Sequence, residues 1–451
     1  MYADCLGNPV TACDDATLAG IDDFVGGMLS YETRAANIIA AADAAPGHCL
    51  ANTYAGMIHL LAETPGAGAD AAANIRAAHQ AAASANAREQ MNLKATQAWA
   101  AGDLDGAIAQ FEAIVADYPR DLLALKMLHY HLFNRGDSPG MLRVALAGIK
   151  AAPDVAYVYG MAAFGFEQCH LLDNAEQAAR RALELSPKEP WAQHALAHIM
   201  LTQGRIDEGA AFMDAVRPTW TELNSFMITH LWWHLALFRL SQGRDAEALA
   251  IYDEQVWAVA KDYSQDQIGA VSLLAQMGMA GIDVGARWDD LADYLTGRSG
   301  DVVQPFLSVQ YLYGLARAGR PEADVLLAAI GAAADAQGGA WREAALPLAQ
   351  GLLAHARGGY ETAVVSIEAA LPRLVRLGGS HAQRDLFAQI LLDAHIRGGA
   401  WIDAQQALEM RRAFDPDGVA LNRRLAGVYD ALGLPVQAAE ARARVERRLA
   451  G

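Results

Sequence analysis

No alternating apolar and polar run of strand length stands out along this chain, so sheets are not expected. Alanine is very frequent and β-branched residues are sparse between the apolar positions, a pattern that favours helices packed closely together. Small residues punctuate it at a fixed interval. Gly102, Gly136 and Gly204 lie on a 34-residue grid, and His170 holds the grid position between the last two. Pro119, Pro153 and Pro187 follow the first three grid positions, each 17 residues further on. Ala107, Ala175 and Gly209 fill the position five after a grid residue. The spacing predicts a helix ended by a left-handed turn, then a second helix packed closely through the small residue and stopped by proline.

A 34-residue helix–turn–helix with these marks is the tetratricopeptide repeat. Copies so phased begin near Arg88, Leu122, Ala156 and Pro190, and a fifth begins near Thr229 after a slip of five residues. Gly358 and Ala363, then Gly399, Ala404 and Pro416, then Gly433 and Ala438, mark further copies toward the C-terminus. Residues 21–46 read as a degenerate first repeat. Between about Tyr263 and Phe306 the pattern breaks. Two helices are expected there, one opening at Ser264-Gln265-Asp266-Gln267 and one around Trp288 to Tyr294. Ser380-His381-Ala382-Gln383 should cap another helix. The expected fold is all-α, a tetratricopeptide-repeat superhelix (solenoid) in a single continuous array with a non-repeat helical insertion. Its expected parts are an N-terminal helical region (1–87), regular repeats (88–262), an irregular segment (263–343) and C-terminal repeats (344–451).

Charge narrows the partners. A formal charge of −17 with no basic stripe repels phosphate backbones, so nucleic acid is not an expected partner. No run of about 18 uncharged apolar residues occurs, so no membrane span is expected. The start, Met1-Tyr2-Ala3-Asp4-Cys5, lacks a basic segment followed by an apolar run, so no signal peptide is expected. Cys5, Cys13, Cys49 and Cys169 show no CxxC spacing, which fits free thiols in the cytoplasm.

The first helix of each tetratricopeptide repeat lines the concave surface. By offset, the lining residues are Lys126, Tyr130, Phe133 and Asn134 in one copy and Tyr157, Phe164, Glu167 and Gln168 in the next. The following two copies offer Trp191, His194, His198 and Thr202, then His230, Trp233 and Ser241, with His234 one turn after His230. Two HxxxH pairs on adjacent first helices can converge, and that spacing also serves helix-borne zinc. His194, His198 and His230 are thus candidate metal ligands, and Glu167 could act as ligand, as outer partner or as general base. His129 and His131 sit off the best lining positions. Against this stands plain packing, since buried histidines in helical arrays also stack on aromatics and bond to one another or to backbone carbonyls.

Other chemistries find no support. His194-Ala195-Leu196-Ala197-His198 lacks the glutamate of HExxH, no GxSxG occurs, and no phosphate-loop, dinucleotide or flavin motif is present. Gly378-Gly379 before a helix start could bind an anion with Arg384, although a flexible entry to the helix explains the pair as well.

Several segments resemble tetratricopeptide repeat protein 38 and its bacterial relatives. They are Trp191 to His198, Gly204 to Met213, His230-Leu231-Trp232-Trp233-His234, Ala248 to Asp253, Asp283 to Trp288 and Gly378 to Phe387. The resemblance runs from about Leu93 to beyond Phe387. It implies an all-helical protein with a groove built around His198, His230 and His234, and it carries no reaction. The reading is a ligand, either a small molecule or a short peptide, bound in a groove lined by Tyr130, Phe133, Asn134, Phe164, Gln168, Trp191, Trp233 and Arg384. One alternative is an enzyme of hydrolase or lyase type using His194, His198, His230, His234 and Glu167. Another is a protein-interaction scaffold. A divalent metal cofactor and a homo-oligomer both remain open.

Overall fold

The computed structural model describes residues 2–450. Among them are 24 α-helices and one two-stranded antiparallel ribbon, Tyr2–Ala3 with Pro9–Val10. The chain is an all-α solenoid of tetratricopeptide type, as its sequence predicts. Its helices gather in two compact units. The N-terminal unit runs up to Ala195 and includes Thr219–Met227, and the C-terminal unit holds Leu196–Pro218 and the residues from Ile228 onward. The division falls inside the helix Pro190–Thr202, within the span expected to be one run of regular repeats.

Local chemistry sets the helix pairs. Ala87–Ala100 and Leu104–Asp117, Leu122–Asn134 and Ser138–Ala151, then Ala156–Gln168 and Leu172–Leu185 are the pairs of the phased copies. Each first helix ends at a grid residue in the left-handed region: φ is 77° at Gly102, 74° at Gly136 and 56° at His170. Asp103 and Asp137, one residue later, accept hydrogen bonds from the backbone N–H of Gly106 and Gly140 at 2.9 Å each. Such an N-cap stabilises a helix by about 1 kcal/mol. The second helices end at Asp117, Ala151 and Leu185, two residues before the three prolines. At Gly209 a Cβ would lie 2.2 Å from the Phe238 ring, which explains a glycine at the small-residue position.

The expected helices of the insertion form as Ser264–Met279 and Arg287–Leu295. The first is not capped as its sequence suggests: Tyr263 is the N-cap, and no side chain bonds there. Asp266 instead accepts from the Thr229 hydroxyl and the Ala260 N–H, both at 3.2 Å. The Ser380 capping box forms in full, with both reciprocal bonds to Gln383. A helix pair that the repeat marks do not announce, Cys49–Leu60 with Ala67–Ala81, follows the degenerate first repeat. The four cysteines are unbridged, and no helix among the described residues is long and apolar enough to cross a membrane.

Each unit is tied by polar contacts distant in sequence. In the N-terminal unit Arg88, fully buried, donates to Asp121 at 2.7 Å, Asp4 at 3.0 Å, the Tyr54 hydroxyl and the Pro9 carbonyl, which pins the ribbon to the first regular repeat. In the C-terminal unit the last helices return to the first ones. Arg448 binds both carboxylate oxygens of Asp207, at 2.5 and 2.7 Å, and Ser241 donates to Asp415 at 2.5 Å. Gly204 meets the Phe414 carbonyl so closely that a Cβ would lie 1.6 Å from its oxygen. That contact and its φ of 68° both require glycine there.

Candidate functional site

The C-terminal unit holds a histidine cluster built from two first helices. His198 comes from Pro190–Thr202, and His230 and His234 stand one turn apart on Ser225–Gln242. The ring centroids of His198 and His234 are 4.5 Å apart, and those of His230 and His234 4.8 Å. A ring nitrogen of each of the three lies within 4.8 Å of the others. All three residues are buried. Burial first, then His198, pushes the His230 imidazole down to about 3, and burial with the neighbouring histidines holds His234 well below its ordinary value. Both rings are therefore neutral near pH 7. Trp233 lies parallel to His230, with centroids 5.3 Å apart and planes 6° from parallel.

Beside the cluster stands His381, its ring centroid 5.7 Å from that of His198 and its Nε2 3.2 Å from the Thr202 hydroxyl. His381 also lines a cavity of about 520 Å³ within the same unit, together with Ser241, Asp385, Arg411, Asp415 and Arg424. The helix His381–Gly398 presents His381, Asp385 and Gln389 to the cavity from successive turns. Asp385 takes a bidentate grip from Arg411, at 2.6 and 3.1 Å. Asp385 lines the cavity wall. Burial raises its pKa, but Arg411, Gln389 and His381 outweigh that and leave its carboxyl below the usual carboxylate value.

Opposite in character is Asp415, whose carboxyl burial pushes up. Arg424 is the least satisfied member of the wall. Its Nη1 donates to Gln389 at 3.2 Å, whereas its Nη2 has no hydrogen-bond partner and lies 4.0 Å from Asp393. Burial, opposed by Asp393, lowers the guanidinium to about 10.

Most of the predicted groove residues belong to the N-terminal unit. Phe164 and Trp191 meet at 4.8 Å, Phe133 and Phe164 at 5.7 Å, and His194 stacks on Trp191 at 4.4 Å. Lys126 Nζ lies 3.4 Å from the centroid of the Tyr31 ring and 5.0 Å from that of Tyr157, and it donates to the Met28 carbonyl. Burial lowers the Lys126 ammonium well below its usual value. Glu189 caps the helix Pro190–Thr202 through the N–H groups of Trp191 (3.2 Å) and Ala192 (2.5 Å), and burial raises its carboxyl to about 7. Tyr130 donates to Glu63 at 2.6 Å, and Gln168 to Glu167 at 2.6 Å. Asn134 stands half-buried at the end of its helix.

Arg384 donates from Nη1 to the Gly378 and Gly379 carbonyls and ties down the loop. His131 packs among Trp99, Phe111 and Tyr130, as core histidines do. Sequence reading missed His381, Asp385, Arg411, Asp415 and Arg424. One signal was there: His381, Asp385 and Gln389 recur at i, i+4, i+8 just after the Ser380 cap, on one helical face.

No protein-family model matches the chain. Among solved structures, the chain is similar to the human IFIT1 dimer with m7Gppp-AAAA, at 12% identity and a TM-score of 0.43, over 98% of this chain and 96% of that one. It is also similar to Naa15/Naa10 bound to HypK-THB, at 13% identity and a TM-score of 0.26, over 96% of this chain and 63% of that one.

Proposed function

We propose that this chain is a ligand-binding solenoid protein of the tetratricopeptide repeat protein 38 kind, and that its C-terminal unit takes up a small polar molecule bearing a carboxylate. The observation that carries this reading is Arg424, which lines the cavity and whose Nη2 is a buried donor with no hydrogen-bond partner, 4.0 Å from Asp393. A buried donor left unmade costs about 1–3 kcal/mol, and a carboxylate would satisfy it with a charge-assisted bond. The size fits as well, since ligand sites usually span roughly 300–1,000 Å³ and this cavity measures about 520 Å³. Asp415 and Ser241 offer a place for a hydroxyl or ammonium group of the same molecule. Leu237, Leu240, Met279 and Phe414 supply apolar wall for its carbon skeleton.

The test is thermal unfolding of the full chain against a panel of small carboxylic acids, including hydroxy and amino acids, with the matching neutral amides as controls. A ligand at 100 times its Kd adds about 2.7 kcal/mol. One or more acids should raise Tm while their amides do not, and Arg424→Met should abolish the rise. An equal rise with the amides, or an undiminished one in the variant, overturns the reading. The enzymatic alternative draws on His381, which faces the cavity and lies against His198. It predicts turnover of the bound acid that is lost in His381→Gln.

A further inference from the structure

The geometry points to a second site in the C-terminal unit, a three-imidazole site formed by His198, His230 and His234 for a divalent transition metal of the zinc class. It does not depend on what the cavity binds. Helical spacing stacks His230 above His234, and the neighbouring first helix brings His198 against them, so that three ring nitrogens converge within 4.8 Å of one another. A tetrahedral zinc with Zn–N bonds of about 2.0–2.1 Å holds its nitrogens roughly 3.3 Å apart, a contraction that small side-chain rotations supply. Imidazole nitrogens prefer zinc, copper, iron and nickel over magnesium and calcium, which want oxygen.

An independent observation lies beside the three histidines. Trp233 stacks on His230, and its indole Nε1–H is buried with no acceptor. His230 and Trp233 share a void of about 10 Å³ with Gln265, Ser272, Gln310 and Gln383, the size of a single water and walled mostly by polar side chains. A small anion drawn to a metal on His230 would offer the neighbouring indole an acceptor. Plain packing of the histidines gives no such account of a tryptophan donor left unmade beside them.

The experiment is cobalt titration of the chelator-treated full chain, followed by its visible d–d absorption. One cobalt per chain with a tetrahedral or five-coordinate spectrum is expected. His198→Gln, His230→Gln and His234→Gln should each weaken binding by more than about 100-fold, beyond the roughly 10–100-fold that losing an outer partner costs. His129→Gln and His395→Gln, buried histidines outside the cluster, should leave it unchanged. Circular dichroism checks the fold of each variant. If the cluster variants unfold, X-ray absorption of the zinc-loaded wild-type chain decides instead, with imidazole scattering from three ligands expected. Failure of the wild type to bind cobalt, full binding by a folded cluster variant, or a zinc shell without imidazoles overturns the site.

Discussion

Both units bury polar side chains and each leaves some of them unpaired, but particular groups in the two units stand in different states. In the N-terminal unit Arg88 meets two carboxylates, a phenol and a carbonyl, and Glu189 spends its carboxylate on two helix N–H groups. Those groups hold the fold, and their hydrogen-bonding capacity is taken up by it. In the C-terminal unit Arg424 keeps an unused donor at a cavity, Trp233 keeps another beside a void, and three imidazoles converge. Polar burial alone therefore does not mark a binding site. The two proposed sites rest instead on unused bonding capacity next to empty space.

The same substitution in the two units tests this contrast most strongly. Arg88→Met leaves Asp4 and Asp121 buried without their cation, and should cost about 3–5 kcal/mol in chemical denaturation of the N-terminal unit. A cost under about 1 kcal/mol would mean that the ribbon contributes little to the fold.

Next in size is a pH effect at Glu189, which is packed near Lys126, Tyr31 and Tyr157. Its carboxyl titrates near 7 in the fold against an ordinary 4.5, so the unfolded chain ionises first as pH rises. The contribution of Glu189 to stability is then fully present below about 4.5 and is lost as pH climbs toward 7, by up to roughly 3 kcal/mol. Glu189→Gln should flatten that slope between pH 5 and 7, and a slope unchanged in the variant would place the titrating group elsewhere.

The smallest effect is expected from Arg424→Met. It removes one bond to Gln389 but also a buried, incompletely paired charge, so stability should shift by less than about 1 kcal/mol. A loss as large as that of Arg88→Met would make Arg424 a structural residue and erase the contrast.

What could be read in the sequence was what neighbours along the chain decide. The turn glycines, the proline stops and the Ser380 box depend on a few consecutive residues, and they form where expected. His170 takes a left-handed turn in a grid position otherwise held by glycine, because the 34-residue spacing fixes the turn there whatever the residue. His230 and His234 were legible as a pair because four residues make one helical turn. Arg384 bonds to its own loop carbonyls, close in sequence, a contact that the glycine pair did not announce.

By itself, then, the sequence determined the all-helical repeat, its turns and the histidine pair, since each follows from contacts within about one helical turn or one repeat. Only the tertiary structure decided which charges share a cavity. Ser241 meets Asp415 across 174 residues, and Thr202 meets His381 across 179. No periodicity encodes those meetings, because they depend on how successive repeats turn before the last helices return to the first. It also decided which polar groups keep a free hydrogen bond, since that is known only after every neighbour has taken its share.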